Sequence, residues 1–221
     1  MIRCHGMAYR YAQGPHLDFP DIDLPQGAIL LLQGPSGSGK STWLALAAGL
    51  LRPTAGRLEV AGQDLAQVRG PASDAWRGRA IGFLPQKLHL SNALTVRGNL
   101  ALAQWAAGAP DDQAAVMRTL DILGLAEFAL RHPDQLSGGQ AQRVALARAV
   151  LLQPRLILAD EPSASLDDAA ASAALGLLRD TAARLQASLV IATHDARVAA
   201  TLPGAMHVQL GLAVPVAGTS A

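Results

Sequence analysis

Three groups of residues in this chain have the types and spacings that handle phosphate. The first is Gly34-Pro35-Ser36-Gly37-Ser38-Gly39-Lys40-Ser41-Thr42, which fits G-x-x-x-x-G-K-[ST]. Glycines let the backbone wrap closely around an anion and turn successive N–H groups inward. The positive end of the helix that follows then faces the anion. Lys40 can reach the β- and γ-phosphates of a nucleotide, and the Ser41 hydroxyl can hold Mg²⁺. The second group is Asp160 and Glu161, which close an apolar run. Adjacent strand residues face opposite sides, so one acid can hold Mg²⁺, directly or through water, while the other points at the attacking water. The third is Ser137-Gly138-Gly139 ahead of a helix. It reads as a second loop-into-helix anion site without a lysine, or as an ordinary cap and turn.

Single residues join these groups. Gln86 follows a short apolar strand and could face the γ-phosphate, Mg²⁺ or the attacking water; a surface position after a strand is the plainer reading. Tyr9 and Tyr11 stand near the end of the first strand. Tyr11 either stacks on an adenine face or is an ordinary strand aromatic. His194 follows a buried strand of the same sheet as the two acids, so it emerges at their edge.

The elements that position these residues follow from the pattern. Residues 1–33 read as strands joined by turns and a Pro/Asp-rich link, the last strand being Ala28 to Gln33. A helix opens at Ser41 and ends near Gly49. RLEVAGQDL alternates like a strand, and Ile81 to Gln86 is another. Residues 91–152 have helical apolar spacing, with Pro110 at the first turn of the second helix and Asp111 and Asp112 suiting its start. Leu156 to Ala159 form a fully buried strand ending in the two acids, at the carboxyl edge where doubly wound folds bind ligands. An Ala-rich helix with acids first and Arg last follows, then the strand before His194. AMHVQLGLAVPVAG reads as a closing strand or hairpin and a loose tail.

Bulk composition narrows the function class. At 221 residues the chain can bury one good core, or one core plus a small subdomain. Half the residues are hydrophobic but only 4% are aromatic, so Ala, Leu and Val fill the interior. The net charge of +1 gives no global field to draw nucleic acid. Only Lys40 and Lys87 are lysines, which singles out the one inside the glycine loop. The lone Cys4 permits no internal disulfide. No leader opens the chain and no apolar run is long enough to span a bilayer, so a soluble protein is expected, acting at a membrane only through a partner.

Five motifs occur in one order: GPSGSGKST (34–42), the strand-following Gln86, LSGGQ (136–140), LILADEP (156–162) with SLD after it, and His194. Together they resemble the ATP-binding subunit of prokaryotic ABC transporters, over roughly Tyr9 to Gly211. The wording ADEP and the compact length are most similar to the lipoprotein-release and macrolide-export branch. The resemblance implies an α/β fold: a P-loop NTPase core with a parallel sheet, a small antiparallel β subdomain and a helical insert. It makes 1–221 one domain, with the core at 1–90 and 153–221 and the signature subdomain at 91–152. It implies ATP and Mg²⁺ as cofactors. Residues 34–42 and Tyr11 would bind nucleotide, and Ser41, Gln86 and Asp160 the metal. Glu161 would be the general base, His194 the histidine bracing the γ-phosphate, and Gln86 the metal-sensing coupling residue. Ser137, Gly138, Gly139 and Gln140 would contact ATP on a second subunit, and Asp167 would cross the dimer. The implied partners are a second ATPase copy and a transmembrane permease, with no nucleic acid. The implied place is cytoplasmic, on the inner face of the membrane. SAS (163–165) departs from the family's commoner Thr-led tripeptide, and no regulatory domain is read after the last strand. The alternatives are a non-transport relative acting on DNA or ribosomes, which lacks support in coiled coil or zinc-binding cysteines, and a P-loop kinase or GTPase, which leaves LSGGQ idle.

Overall fold

The computed structural model describes residues 1–164, 166–195 and 197–211. Ser165 and the tail expected after Gly211 lie outside them. Strands β1 (Ile2–Arg10), β2 (His16–Asp18) and β3 (Ile22–Leu24) open the chain, with β1 antiparallel to both others. Strand β4 (Ile29–Gln33) feeds the glycine loop and helix α1 (Lys40–Ala47), which starts one residue before Ser41. The stretch expected as one strand over RLEVAGQDL is a hairpin. Its arms are β5 (Ala55–Val60) and β6 (Gln63–Asp64), and the chain reverses at Ala61 and Gly62, both at positive φ.

Helix α2 (Pro71–Ala80) has no counterpart in the sequence pattern: Ala80 is its one buried residue, so no apolar stripe announces it. Strand β7 (Ile81–Leu84) stops at Leu84, leaving Gln86 in the turn beyond. Helices α3 (Val96–Ala106), α4 (Gln113–Ile122) and α5 (Gly138–Val150) follow. Pro110 lies outside α4, because Asp112 takes the N-cap and its side chain accepts from the Ala115 N–H at 2.8 Å. Strand β8 (Leu156–Asp160), helix α6 (Asp168–Arg184), strand β9 (Ser188–Thr193), helix α7 (Arg197–Thr201) and strand β10 (Met206–Gln209) complete the described chain. The closing strand is β10, parallel to β4; the return arm of the alternative hairpin would lie outside the described residues.

Two sheets result. Strands β1, β2, β3, β5 and β6 make an antiparallel sheet, and the order β10-β4-β9-β8-β7 makes a parallel one. The parallel sheet is covered on both sides, which is why its strands read as unbroken apolar runs. Leu30, Leu32, Leu158 and Val190 face one core with Trp43 and the antiparallel sheet. Leu31, Ile157 and Ile191 face the other, with α5 and α6. Parallel register sets Gln33 beside Thr193 and Asp160 beside Ala192, so the chain leaves β4, β9 and β8 at one level of one edge.

Helix α5 belongs to this core. A Cβ on Gly82 would meet the Ala149 carbonyl oxygen at 2.4 Å, so only glycine lets β7 and α5 approach this closely. Val144, Ala147 and Val150 share a core with Ile157 and Ile191. The end of α5 thus packs continuously with the parallel sheet.

Candidate active site

The edge where β4, β8 and β9 end carries a cleft of about 550 Å³. Its floor is the glycine loop, with Ser36, Gly37, Gly39, Lys40, Ser41 and Thr42 exposed to it. Gly39 is the N-cap of α1 with φ 93°, a conformation that favours glycine, and it aims the helix N-terminus into the cleft. Tyr11 and Gln86 also line the cleft, and Glu161 and His194 close its far side. The Tyr11 hydroxyl is 2.7 Å from Thr42 Oγ1, and its ring stands edge-on to Tyr9. With Leu17 and Pro15 beside it, Tyr11 gives the mouth an apolar wall.

Lys40 is 7% exposed, and its ammonium donates to the carbonyls of Gly34 at 2.8 Å and Pro35 at 3.1 Å. It also lies 3.8 Å from Glu161 Oε1. An anion entering the loop thus meets a cation already held in place.

The two acids occupy different environments, but strand alternation is not the reason. Asp160 ends β8, whereas Glu161 has left the strand at φ 48° while its N–H donates to the Ala192 carbonyl. That left-handed step turns the Glu161 carboxylate toward β9. There it accepts from Thr193 Oγ1 at 3.0 Å, the His194 N–H at 3.1 Å and His194 Nδ1 at 2.7 Å. His194 Nδ1 therefore carries a proton, leaving Nε2 toward solvent. Thr193 was not among the sequence candidates; its signal is a strand-ending hydroxyl next to His194.

Asp160 is half-buried behind the loop, and its buried Oδ1 has no hydrogen-bond partner among the described residues. Burial pushes its carboxyl above the usual range; a hydrogen bond from Ser41 lowers it, Glu161 raises it and Lys40 lowers it again. An orphaned carboxylate oxygen beside a hydroxyl is a hard oxygen pair that suits Mg²⁺. No cluster of three acidic, His or Cys ligands occurs among the described residues, so a cation here would complete its shell with phosphate oxygens and water. Because the folded-state pKa is raised, this group's contribution to stability falls as pH rises from the ordinary carboxylate range. Asp160→Asn is therefore expected to raise the unfolding midpoint of the nucleotide-free protein at pH 7, by about 1–3 °C after solvent screening. Differential scanning calorimetry at pH 7 and pH 4 checks this; the gain shrinks at the lower pH.

The remaining predicted residues lie elsewhere. Ser137 caps α5: its Oγ accepts from the Gln140 N–H at 3.3 Å, and Gln140 Oε1 accepts from the Ser137 N–H at 2.8 Å. Gly138 and Gly139 meet nothing where a Cβ would stand. None of residues 137–140 lines the nucleotide cleft. Asp167 caps α6, accepting from the Ala170 N–H at 2.8 Å.

Comparison with known proteins settles the family. The sequence model described as ABC transporter matches residues 17–164. The chain belongs to the ABC transporter family. It is 42% identical over 205 residues to the lipoprotein-releasing system ATP-binding protein LolD of Anaeromyxobacter dehalogenans, covering 90% of this chain and 86% of that one. It is 38% identical over 209 residues to the macrolide export ATP-binding/permease protein MacB 1/2 of Paracoccus denitrificans, covering 90% of this chain but 31% of that larger protein. Among solved structures, the dimeric bacterial ABC transporter cassette MJ0796 superposes with a TM-score of 0.80 at 27% identity, covering 99% of this chain and 100% of that one. The same cassette in a post-hydrolysis state bound to ADP and Pi gives 0.79 at 28%. This ABC chain is an ATP-binding ATPase subunit with the α/β P-loop fold.

Proposed function

We propose that the chain works as a head-to-tail pair driving a membrane permease of export type. Each of two ATP molecules would lie between one copy's glycine loop and the other copy's Ser137–Gly139. The supporting observation is the division of the site within one chain: the cleft holds Lys40, Glu161 and His194 but none of residues 137–140. Gly138 and Gly139 point the same way. Glycine in a helix costs about 1 kcal/mol relative to alanine, and nothing among the described residues crowds either position. Bare backbone there suits an approach from outside.

The chemistry assigns each group a role. Lys40, the loop N–H groups and the α1 N-terminus hold the β- and γ-phosphates. Mg²⁺, held by Ser41 and Asp160 with Gln86 at its edge, would neutralise phosphate charge. Glu161 takes the proton as the water oxygen attacks γ-phosphorus, and the bond to the ADP oxygen breaks. His194, carried on the same hydrogen-bonded loop, braces the γ-phosphate. Tyr11 backs the adenine, and Asp167 meets the second copy.

The permease reading draws on a groove of about 400 Å³ between α1, α2, α3 and α5, where Leu50, Ala103, Ala106 and Ala107 offer an apolar lining. Leu50 is 57% exposed, and α3 also carries Trp105 at 78%. No helix among the described residues is long and apolar enough to cross a membrane, and in this reading the crossing belongs to the partner. The lipoprotein-releasing and macrolide-export names of the relatives favour export, and in this reading the chain attaches to the cytoplasmic face through the permease.

Paired cysteines test the arrangement. With Cys4 buried, a chain carrying Ser36→Cys and Ser137→Cys should oxidise to a covalent dimer with ATP and Mg²⁺ but stay monomeric without them. Absence of the ATP-dependent dimer on a denaturing gel would remove the head-to-tail reading.

A further inference from the structure

Helix α5 touches three functional regions. Its first turn is the exposed Ser137–Gly139 segment. One turn later the Gln142 side-chain amide donates to the Pro162 carbonyl, next in chain to Glu161. Near its end, Arg148 donates to the carbonyls of Leu88 at 2.6 Å and His89 at 2.8 Å, just beyond Gln86. The link at Gln142 joins residues 20 apart in sequence. Around it the α5–α6 junction is loosely filled: Leu146, Ala170, Ala173 and Leu177 line a cavity of about 430 Å³ beside Gln142. Across that gap the amide is a directional tie between the helix and the acid loop. The groove leaves the exposed first turns of α5 room to shift, and a hydrogen bond at the loop passes that shift to the Pro162–Glu161 backbone. Glu161 is already held at φ 48°, where a small backbone shift re-aims its carboxylate.

We propose that Gln142 is a positioning residue that couples the two ATP sites of the pair: its amide ties the helix that reads one site's phosphate to the loop bearing the other site's Glu161. The inference rests on the head-to-tail reading above. When ATP closes one site against Ser137–Gly139, α5 carries that event to the Glu161 of its own chain. The coupling is reciprocal for binding, as linkage requires, so hydrolysis by the pair is cooperative in ATP.

The test uses the full chain with Gln142→Met, which keeps length without a donor, and Gln142→Glu, which places a carboxylate against the carbonyl. The readouts are turnover against ATP concentration, binding of a fluorescent ATP analogue, and unfolding temperature. Wild type should give a Hill coefficient approaching about 2, the number of sites. Both variants should fall to about 1 with kcat reduced about 5–10-fold, while analogue affinity stays within about twofold. A Hill coefficient unchanged in both variants overturns the proposal, whether or not kcat falls. A wild-type coefficient of 1 overturns it as well, and cysteine cross-linking decides separately whether the pair itself exists. If one variant unfolds, the other is read alone.

Discussion

Glu161→Gln lowers ATP turnover by about 10²–10⁴-fold, the range that general-base groups supply, while ATP binding persists and a stable dimer accumulates. The geometry gives each part of this result. The Gln side chain keeps one acceptor oxygen for His194 Nδ1 and turns its amide N–H toward Thr193 Oγ1, which can accept it, but it cannot take a proton from water. The glycine loop and Lys40 do not depend on that proton, so nucleotide affinity survives. Lys40 loses its carboxylate neighbour at 3.8 Å, which leaves the ammonium free to commit to phosphate and tightens binding if it changes it at all. With ATP bound and uncleaved, the pair has no event to open it. Size-exclusion chromatography with ATP and Mg²⁺ should show twice the monomer mass for this variant and a monomer–dimer mixture for wild type. Turnover within tenfold of wild type would take the base role from Glu161 and pass attention to His194.

What the sequence disclosed and what it hid have physical causes. The nucleotide edge was legible because each component is a fixed residue type at a fixed offset from a fully buried strand. Leu30–Leu32, Leu156–Ala159 and Leu189–Ala192 are buried on both faces and read as plain apolar runs, and the polar residue ending each run must emerge at the same rim. Gly39, Lys40 and Ser41 follow one such run; Asp160, Glu161 and His194 follow the others. The left-handed turn at Glu161 left no trace, since glutamate carries no local preference for positive φ. The Gln142–Pro162 link spans 20 residues and exists only after α5 and β8 dock. Helix α2 escaped because it packs with almost no buried stripe. The docking of α5 was hidden for a related reason: its apolar face is plain in Val144, Ala147 and Val150, but which surface it covers is a tertiary fact. The orphaned oxygen of Asp160 was equally invisible, because a buried carboxylate and a solvated one are the same letter.

Ser137→Arg is expected to leave monomer ATP affinity within about twofold and to cut hydrolysis about 10²–10³-fold, the cost of losing one donor aimed at transition-state charge. The first half follows from location, since no residue between 137 and 140 touches the cleft of its own chain. The second follows from what the α5 N-terminus offers a neighbour: a serine hydroxyl and two uncrowded glycines at a positive helix end. An arginine there fills the space that a second copy must enter. Folding is affected far less. The change removes the Oγ half of the capping box but keeps the Gln140 bond to the residue-137 N–H, a loss of about 1 kcal/mol. For a chain of this size that lowers the unfolding midpoint by about 2–4 °C, small enough to separate from the catalytic effect. Ser137→Ala supplies the control, because it removes the same hydroxyl and cap without the bulk and so should dimerise where the arginine variant does not. Combining Ser137→Arg with Glu161→Gln makes the discrimination sharp: the double variant should bind ATP as a monomer and never form the trapped pair. If it still elutes as a dimer, or if Ser137→Arg alone weakens monomer binding tenfold, the phosphate is held within one chain and the division of the site between copies is wrong.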